Sequence, residues 1–259
     1  MDDVHAAQPV RPNLWADRLM SYAFSVGATI GQSPMRYLLA RRFDQAPPTQ
    51  ALTLLFVIRP QVLFGTYVRI GERAVGGDCE IHTYLPTMAR PVEVAEELAF
   101  DCLPLTDVGY LDLMAWPHPG LRPLAAGAAA PAPAPAADAA DADSEPGADP
   151  AGAAPTMTLH YAGPPSLPSL TVRDVVDVEL SMVVRRILYR DDQQFRRWEI
   201  IQPGESGQEA LPLRIKVARP QTNHETEFVR TSNPIVVPPE LFDADPAGLR
   251  GWIAERLIG

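Results

Sequence analysis

The stretch from Leu52 to Trp116 constrains this chain most. It reads LTLLFVIRPQVLFGTYVRIGERAVGGDCEIHTYLPTMARPVEVAEELAFDCLPLTDVGYLDLMAW. Ala51–Ile58 is continuously apolar, as expected of a strand covered on both faces. Thr66–Glu72 and Cys79–Leu85 flank Gly76-Gly77, which predicts a hairpin. Tyr84-Leu85-Pro86 then stops the strand pattern, and two short helical patches follow. Val92–Phe100 comes after Pro91, a fitting first-turn residue. Val108–Trp116 comes after Thr106-Asp107, either of which can cap it. The order describes a sheet that hands the chain to a cover. No acid–base or metal constellation accompanies it, which points to holding a ligand rather than converting one.

Strand periodicity dominates the flanks. From Tyr22, one parity reads Tyr22, Phe24, Val26, Ala28, Ile30 and the other Ala23, Ser25, Gly27, Thr29, an alternation with one apolar face. A turn at Gly31–Pro34 leads to a second alternating run containing Met35, Tyr37 and Leu39. Later, Val175–Arg190, Phe195–Gln202, Leu211–Arg219 and Glu225–Thr231 read as consecutive antiparallel strands, with turns at Asp191-Asp192, Pro203–Gln208 and Pro220–Asn223. Leu211, Leu213, Ile215 and Val217 form a dry side, while Arg214 and Lys216 face the other way. A C-terminal helix is expected over Ala247–Ile258, opened by Asp245-Pro246, with an apolar stripe of Leu249, Trp252, Ile253 and Leu257. Nine or ten strands and few helices predict a mainly β (α+β) chain, a single large curved antiparallel sheet with helices on its concave side.

Residues 125–155 are almost entirely Ala, Pro, Gly and Asp, with five acids and no basic residue. Such a tract buries too little apolar surface to offset its ordering entropy and reads as a disordered insertion. One domain over 14–259 is therefore expected, interrupted by this tract. The net charge of −10 argues against a nucleic-acid partner, which requires a basic face, and against electrostatic binding to anionic membranes. No run reaches the length of a membrane helix, so no stable insertion is expected. MDDVHAAQPVRPNLW lacks the pattern of a signal peptide, which leaves a cytoplasmic protein and the mature form of an exported one as alternatives. The five scattered histidines and two cysteines predict no metal site and no cofactor. Cys79 and Cys102 allow one disulfide, which would tether the cover to the sheet, or remain two buried thiols.

Several segments resemble the LolA-like outer-membrane lipoprotein-sorting family in its broad bacterial branch. FVIRPQVLFGTYVRIGE (56–72) is similar to that family's strand with a Pro and a Gly-Thr. CEIHTYLPTMARPVEVA (79–95) resembles its strand ending in Tyr-Leu-Pro, followed by a basic residue and a helix. FDCLPLTDVGYLDLM (100–114) resembles its cover segment, and RRILYRDDQQFRRWEII (185–201) and LPLRIKVARPQTNHETEFVRT (211–231) its closing strands. Met157–Val172 matches poorly. Cys102-Leu103-Pro104-Leu105 departs from the Gly-containing approach to Thr106-Asp107.

The resemblance implies an incomplete β-barrel with a helical lid over an apolar cavity, and a non-enzymatic carrier of lipid or lipoprotein acyl chains. It implies a periplasmic or envelope location, with a lipid or lipidated protein as partner and an envelope transport machine as a further one. The lid residues would be Val92, Val94, Leu98 and Phe100 on the first patch, and Tyr110, Leu111, Leu113, Met114 and Trp116 on the second. Phe64, Tyr67, Tyr84, Met182, Leu188 and Trp198 are the strand residues expected to line the cavity. Arg69 or His82 would latch the lid. Two alternatives stand beside this reading. One is a cyclase- or isomerase-type enzyme with Asp101, Asp107, Asp112 and His82 as acid–base candidates. The other is an interaction or sensor module of the envelope-stress type.

Overall fold

A computed structural model describes residues 21–31, 33–44, 50–73, 77–103, 106–124, 155–180, 182–204 and 211–258. Outside these lie 125–154, which hold nearly all of the expected insertion, residues 14–20 of the expected domain, and Gly76 of the expected hairpin.

Two antiparallel meanders make up the molecule. The first holds β1 (Ser21–Ile30), β2 (Ser33–Asp44), β3 (Gln50–Arg59), β4 (Tyr67–Arg73), β5 (Cys79–Tyr84) and the two-residue β6 (Val92–Glu93). The second holds β7 (Arg122–Pro123), β8 (Thr156–Ala162), β9 (Leu170–Asp177), β10 (Met182–Arg190), β11 (Gln193–Gln202), β12 (Arg214–Arg219) and β13 (His224–Arg230). Pairing of β1 with β13, Val26 opposite Arg230, fuses them into one 14-stranded sheet. A short β14 (Ile235–Val236) extends the β1 edge. The sheet is open, with β6 at one end of the path and β7 at the other.

Topology therefore dictates the cover. The connection from β6 to β7 must carry the chain from one edge to the other, and it does so across one face, here called the inner face. A 3-10 turn (Glu96–Phe100) and a single helical turn, α1 (Tyr110–Leu113), lie on this path. Their apolar residues join an inner core with Tyr22, Phe24, Tyr37, Leu39, Leu55, Val57, Val68 and Ile70.

The opposite parity of the same strands builds a second core. Leu38, Ala40, Leu54, Phe56 and Ile58 pack under Leu241, Phe242 and the C-terminal helix α2 (Pro246–Ile253), which contributes Leu249 and Ile253. Asp245 caps α2 by accepting from Gly248 N at 2.7 Å, and Pro246 occupies its first turn. β3 is thus apolar on both sides because each side has its own cover. The expectation that all helices share the concave side is corrected: α2 sits on the outer face, away from the cover.

Other boundaries differ from those read in the sequence. Val92–Phe100 is not a helix but β6 and a 3-10 turn. Val175–Arg190 is two strands, because Asp177 Oδ1 accepts from Leu180 N at 2.9 Å and turns the chain. Most of β8 and the start of β9 (Leu170–Val172) fall in the Met157–Val172 region that matched poorly.

Candidate functional site

Curvature of the sheet follows from what its strands reach. Glu72 on β4 accepts from Ala115 N at 2.8 Å and Trp116 N at 3.0 Å. Arg41 on β2 donates to Leu113 O, and Arg186 on β10 donates to Leu111 O. The path β4–β3–β2–β1–β13–β12–β11–β10 has seven inter-strand steps, an arc of about 34 Å at ~4.8 Å per step. Leu111 and Ala115 are four residues apart, at most about 14 Å even if fully extended. Side chains from strands so distant can meet one short segment only if the sheet curls around it.

The cover is held by charged groups on otherwise apolar parities. Arg41 is fully buried and also donates from Nε to Thr53 Oγ1 at 3.0 Å. Burial lowers its guanidinium pKa, while Tyr22 and Glu72 oppose that shift. Glu72 is 3 % exposed. Burial pushes its carboxyl up to about 7, against the pull of Arg41, the Ala115 and Trp116 amides and Arg186. Burial alone would lower Arg186, but a two-point pair with Asp174, 2.8 Å at each contact, holds it above the ordinary arginine range.

Two further anchors fix the entry to α1. Arg196 of β11 lies 3.5 Å from Asp112 Oδ2 and donates to Asp101 O at 3.2 Å. Asp112 in turn accepts from Gly109 N at 2.8 Å, closing the first turn. Gly109 lets Arg196 approach closely: a Cβ on it would fall 1.9 Å from Arg196 Nη1 and the guanidinium would have to shift. Asp107 receives Thr226 Oγ1 from β13 and His224 Nδ1 at 2.8 Å, with Arg219 3.7 Å away. His118, near the far end of the cover, packs edge-on against Phe100 at 4.9 Å, and burial pushes its imidazole down to about 4.

Between cover and sheet an apolar cavity of about 50 Å³ remains, lined by residues including Phe24, Tyr37, Leu55, Leu113, Trp198 and Phe228. Ligand pockets for drug-sized molecules run about 300–1,000 Å³. The cover therefore fills most of the space that the curled sheet encloses. Tyr37 Oη is buried and has no hydrogen-bond partner among the described residues. Burial and Asp107 raise its pKa, so it stays a protonated donor.

The expected site residues separate into three groups. Phe100, Tyr110, Leu111, Leu113, Met114, Leu188 and Trp198 belong to the inner core, with Trp116 and Val94 packed against it. Leu113 and Trp198 also line the cavity. Tyr67, Tyr84 and Phe64 belong instead to the outer core, because they occupy the other parity or the turn before β4; Tyr67 stacks on Tyr84 at 5.2 Å beneath the C-terminal segment. Val92 and Leu98 are about half exposed (48 % and 55 %), and Met182 is buried outside both cores.

The expected latches are also displaced. Arg69 donates to Ala244 O at 2.7 Å and so ties down the C-terminal segment, not the cover. His82, on the Tyr84 parity of β5, faces away from the cavity. Cys79 and Cys102 are both free thiols, the second of the two alternatives the sequence left open. Cys79 sits on β5 in one wing, while Cys102 Sγ lies 3.4 Å from Asp107 O and 3.8 Å from Arg196 of β11 in the other. Of the acid–base candidates, Asp112 lines the cavity and is engaged by Arg196 and Gly109, Asp107 is held by three sheet residues, and Asp101 is exposed. No group of three His, Cys, Asp or Glu is placed to hold a metal among the described residues, and none of their helices is long and apolar enough to cross a membrane.

Solved structures share this architecture over most of the chain. A DUF1329 family protein from Desulfovibrio piger superposes with a TM-score of 0.63 at 14% identity, covering 87% of this chain and 90% of that one. An outer membrane lipoprotein-sorting protein domain from Vibrio parahaemolyticus gives 0.63 at 10% identity, covering 91% and 93%. A LolA superfamily protein from Nitrosomonas europaea gives 0.53 at 12% identity, covering 90% and 92%. This chain has a LolA-like fold. No family model matches its sequence, and no curated protein matches it. The likeness to these structures is therefore one of fold.

Proposed function

We propose that this protein is a non-enzymatic carrier that takes up the acyl chains of a lipid or lipidated protein on the inner face of its sheet, beneath a cover that swings aside, in the periplasm or cell envelope. One observation carries the reading. An apolar cover spans the open sheet from edge to edge, and much of its hold on the sheet is through backbone groups gripped by Arg41, Arg186 and Glu72. Such grips fix position without demanding a particular side chain, as a reversible closure requires.

Energies support an exchange. Seven buried cover residues (Phe100, Leu103, Val108, Tyr110, Leu111, Leu113, Met114) contribute about 10–20 kcal/mol of apolar burial at ~1.5–3 kcal/mol each. A sixteen-carbon chain taking their place supplies about 13 kcal/mol at ~0.8 kcal/mol per CH₂. The two are close enough that ligand can replace cover at small net cost. Tyr37 Oη offers a hydrogen bond to an ester carbonyl inside the otherwise apolar space.

The cavity of about 50 Å³ favours a second reading, an interaction module with a permanently plugged interior. Binding of a fluorescent fatty acid separates the two. The carrier binds it, and Arg41→Leu, which frees the cover at Leu113 O, takes it up faster. Absence of binding by the native protein and by Arg41→Leu alike, with both folded, would refute the carrier.

A further inference from the structure

At one end of the sheet a polar cleft of about 320 Å³ opens beside the cover, lined among others by Asp101, Arg190, Asp191, Gln193, Phe195 and Arg219. Its size falls within the range of small-molecule sites. Two tight turns and the cover build it. Asp191 and Asp192 (φ 51° and 60°) form the two-residue turn between β10 and β11, with the backbone that a hairpin of this length requires. Pro220–Asn223, ending in left-handed Asn223 (φ 48°), joins β12 to β13. Asp101 comes from the cover itself.

We propose that this cleft seats the zwitterionic head of an amphiphile, an ammonium joined to a phosphate diester, while the chains lie in the apolar interior; the inference rests on the carrier reading and names the polar end of its ligand. Four charged side chains line the cleft, Arg190 and Arg219 against Asp101 and Asp191. The formal sum is zero, which suits a ligand carrying both signs better than a bare anion or cation. Both guanidiniums retain donors for phosphate oxygens. Among the described residues Arg190 forms no ion pair, and its guanidinium lies over the Phe195 ring, 4.9 Å from the centroid. Arg219 stands 3.7 Å from Asp107 Oδ1, too far for a full hydrogen bond, and so is shared between cover and cleft.

Phe195 marks the junction of the two environments. It packs against the inner core and also lines the cleft. A head left in the cleft keeps its charges paired and wet, whereas drawing it inward would strand them in apolar surroundings. A phosphate on Arg219 competes with Asp107, so the cover senses an occupied head site.

Calorimetric titration with sn-glycero-3-phosphoethanolamine, glycerol 3-phosphate and ethanolamine tests the site. The zwitterion should bind at least about tenfold more tightly than either fragment, and Arg190→Gln should weaken it by about tenfold, equivalent to one lost interaction of ordinary strength. Arg190 is exposed and outside the cover's anchors, so this variant folds as the native protein does. Dihexanoyl phosphatidylethanolamine should bind more tightly than the head alone; equal affinities would assign the cleft to a free zwitterion and overturn the proposal. It is equally overturned if glycerol 3-phosphate binds as well as the zwitterion, if Arg190→Gln changes nothing, or if no heat is seen. Fatty-acid binding by the same preparations reports the carrier separately: retained without head binding, only the head site fails; absent as well, the carrier reading fails with it.

Discussion

Arg41, Glu72, Arg186 and Asp174 occupy strand positions whose parity is otherwise apolar. In β2 the inward series runs Met35, Tyr37, Leu39, Arg41, Phe43, and in β4 it runs Val68, Ile70, Glu72. A charge in the apolar phase of a strand is the signal by which these residues could have been found in the sequence. The alternation of β1 and β12 is plain in the sequence, whereas Arg69 and His82, the expected latches, lie on the opposite parity. Buried charges here predict large single-site effects. Arg186→Met should destabilise by about 3–5 kcal/mol, because it leaves Asp174 buried without its cation. Pairing it with Asp174→Leu should recover most of that loss in urea unfolding.

Two buried groups give opposite pH slopes. Glu72 titrates near 7 when folded and 4.5 when not, so the folded state holds the extra proton between those values. Its contribution is present below pH 4.5 and lost as pH rises to about 7, a swing of about 3 kcal/mol. His118 titrates near 4 when folded against 6.5, so its contribution grows as pH rises from about 4 to 6.5. Glu72→Gln should therefore match the native protein at pH 4.5 and gain on it steadily toward pH 8 in denaturant titrations. A difference that does not change with pH would contradict this account of Glu72.

At the scale of elements, the cover is defined by contacts more than by regular structure. Among its described residues the one α-helical turn is four residues long, far too short to persist alone. It is fixed by Asp112 on Gly109 N, by Arg196 against the Gly109 backbone, and by Glu72 at its exit. Gly109→Ala should push Arg196 out of place, at a cost of about 1–3 kcal/mol typical of overpacking, with thermal unfolding as the readout. The sequence placed two helical patches here because VEVAEELAF and VGYLDLMAW have helix-compatible residues. Edge pairing of Val92-Glu93 with Thr83 and His82 is a tertiary contact that propensity does not encode. The β9–β10 turn rests on one Asp177 side chain accepting from Leu180 N, with no cluster of turn residues to mark it. Asp191-Asp192 and Pro220–Asn223, whose turn chemistry is local, were legible.

For the whole molecule, closure of the inner face is the property on which function depends. The sheet leaves its two edges unjoined, and the chain bridges them with a segment that nearly fills the interior. Whether acyl chains exchange with this segment is best measured by hydrogen–deuterium exchange of the cover amides, including Ala115 and Trp116, with and without palmitate. If the protein is a carrier, palmitate speeds exchange across residues 108–116 as the Glu72 and Arg41 contacts release, while the inward strands β1–β3 stay protected. If palmitate binds nowhere, or leaves those amides as protected as in the free protein, the cover is a fixed plug and the account is wrong.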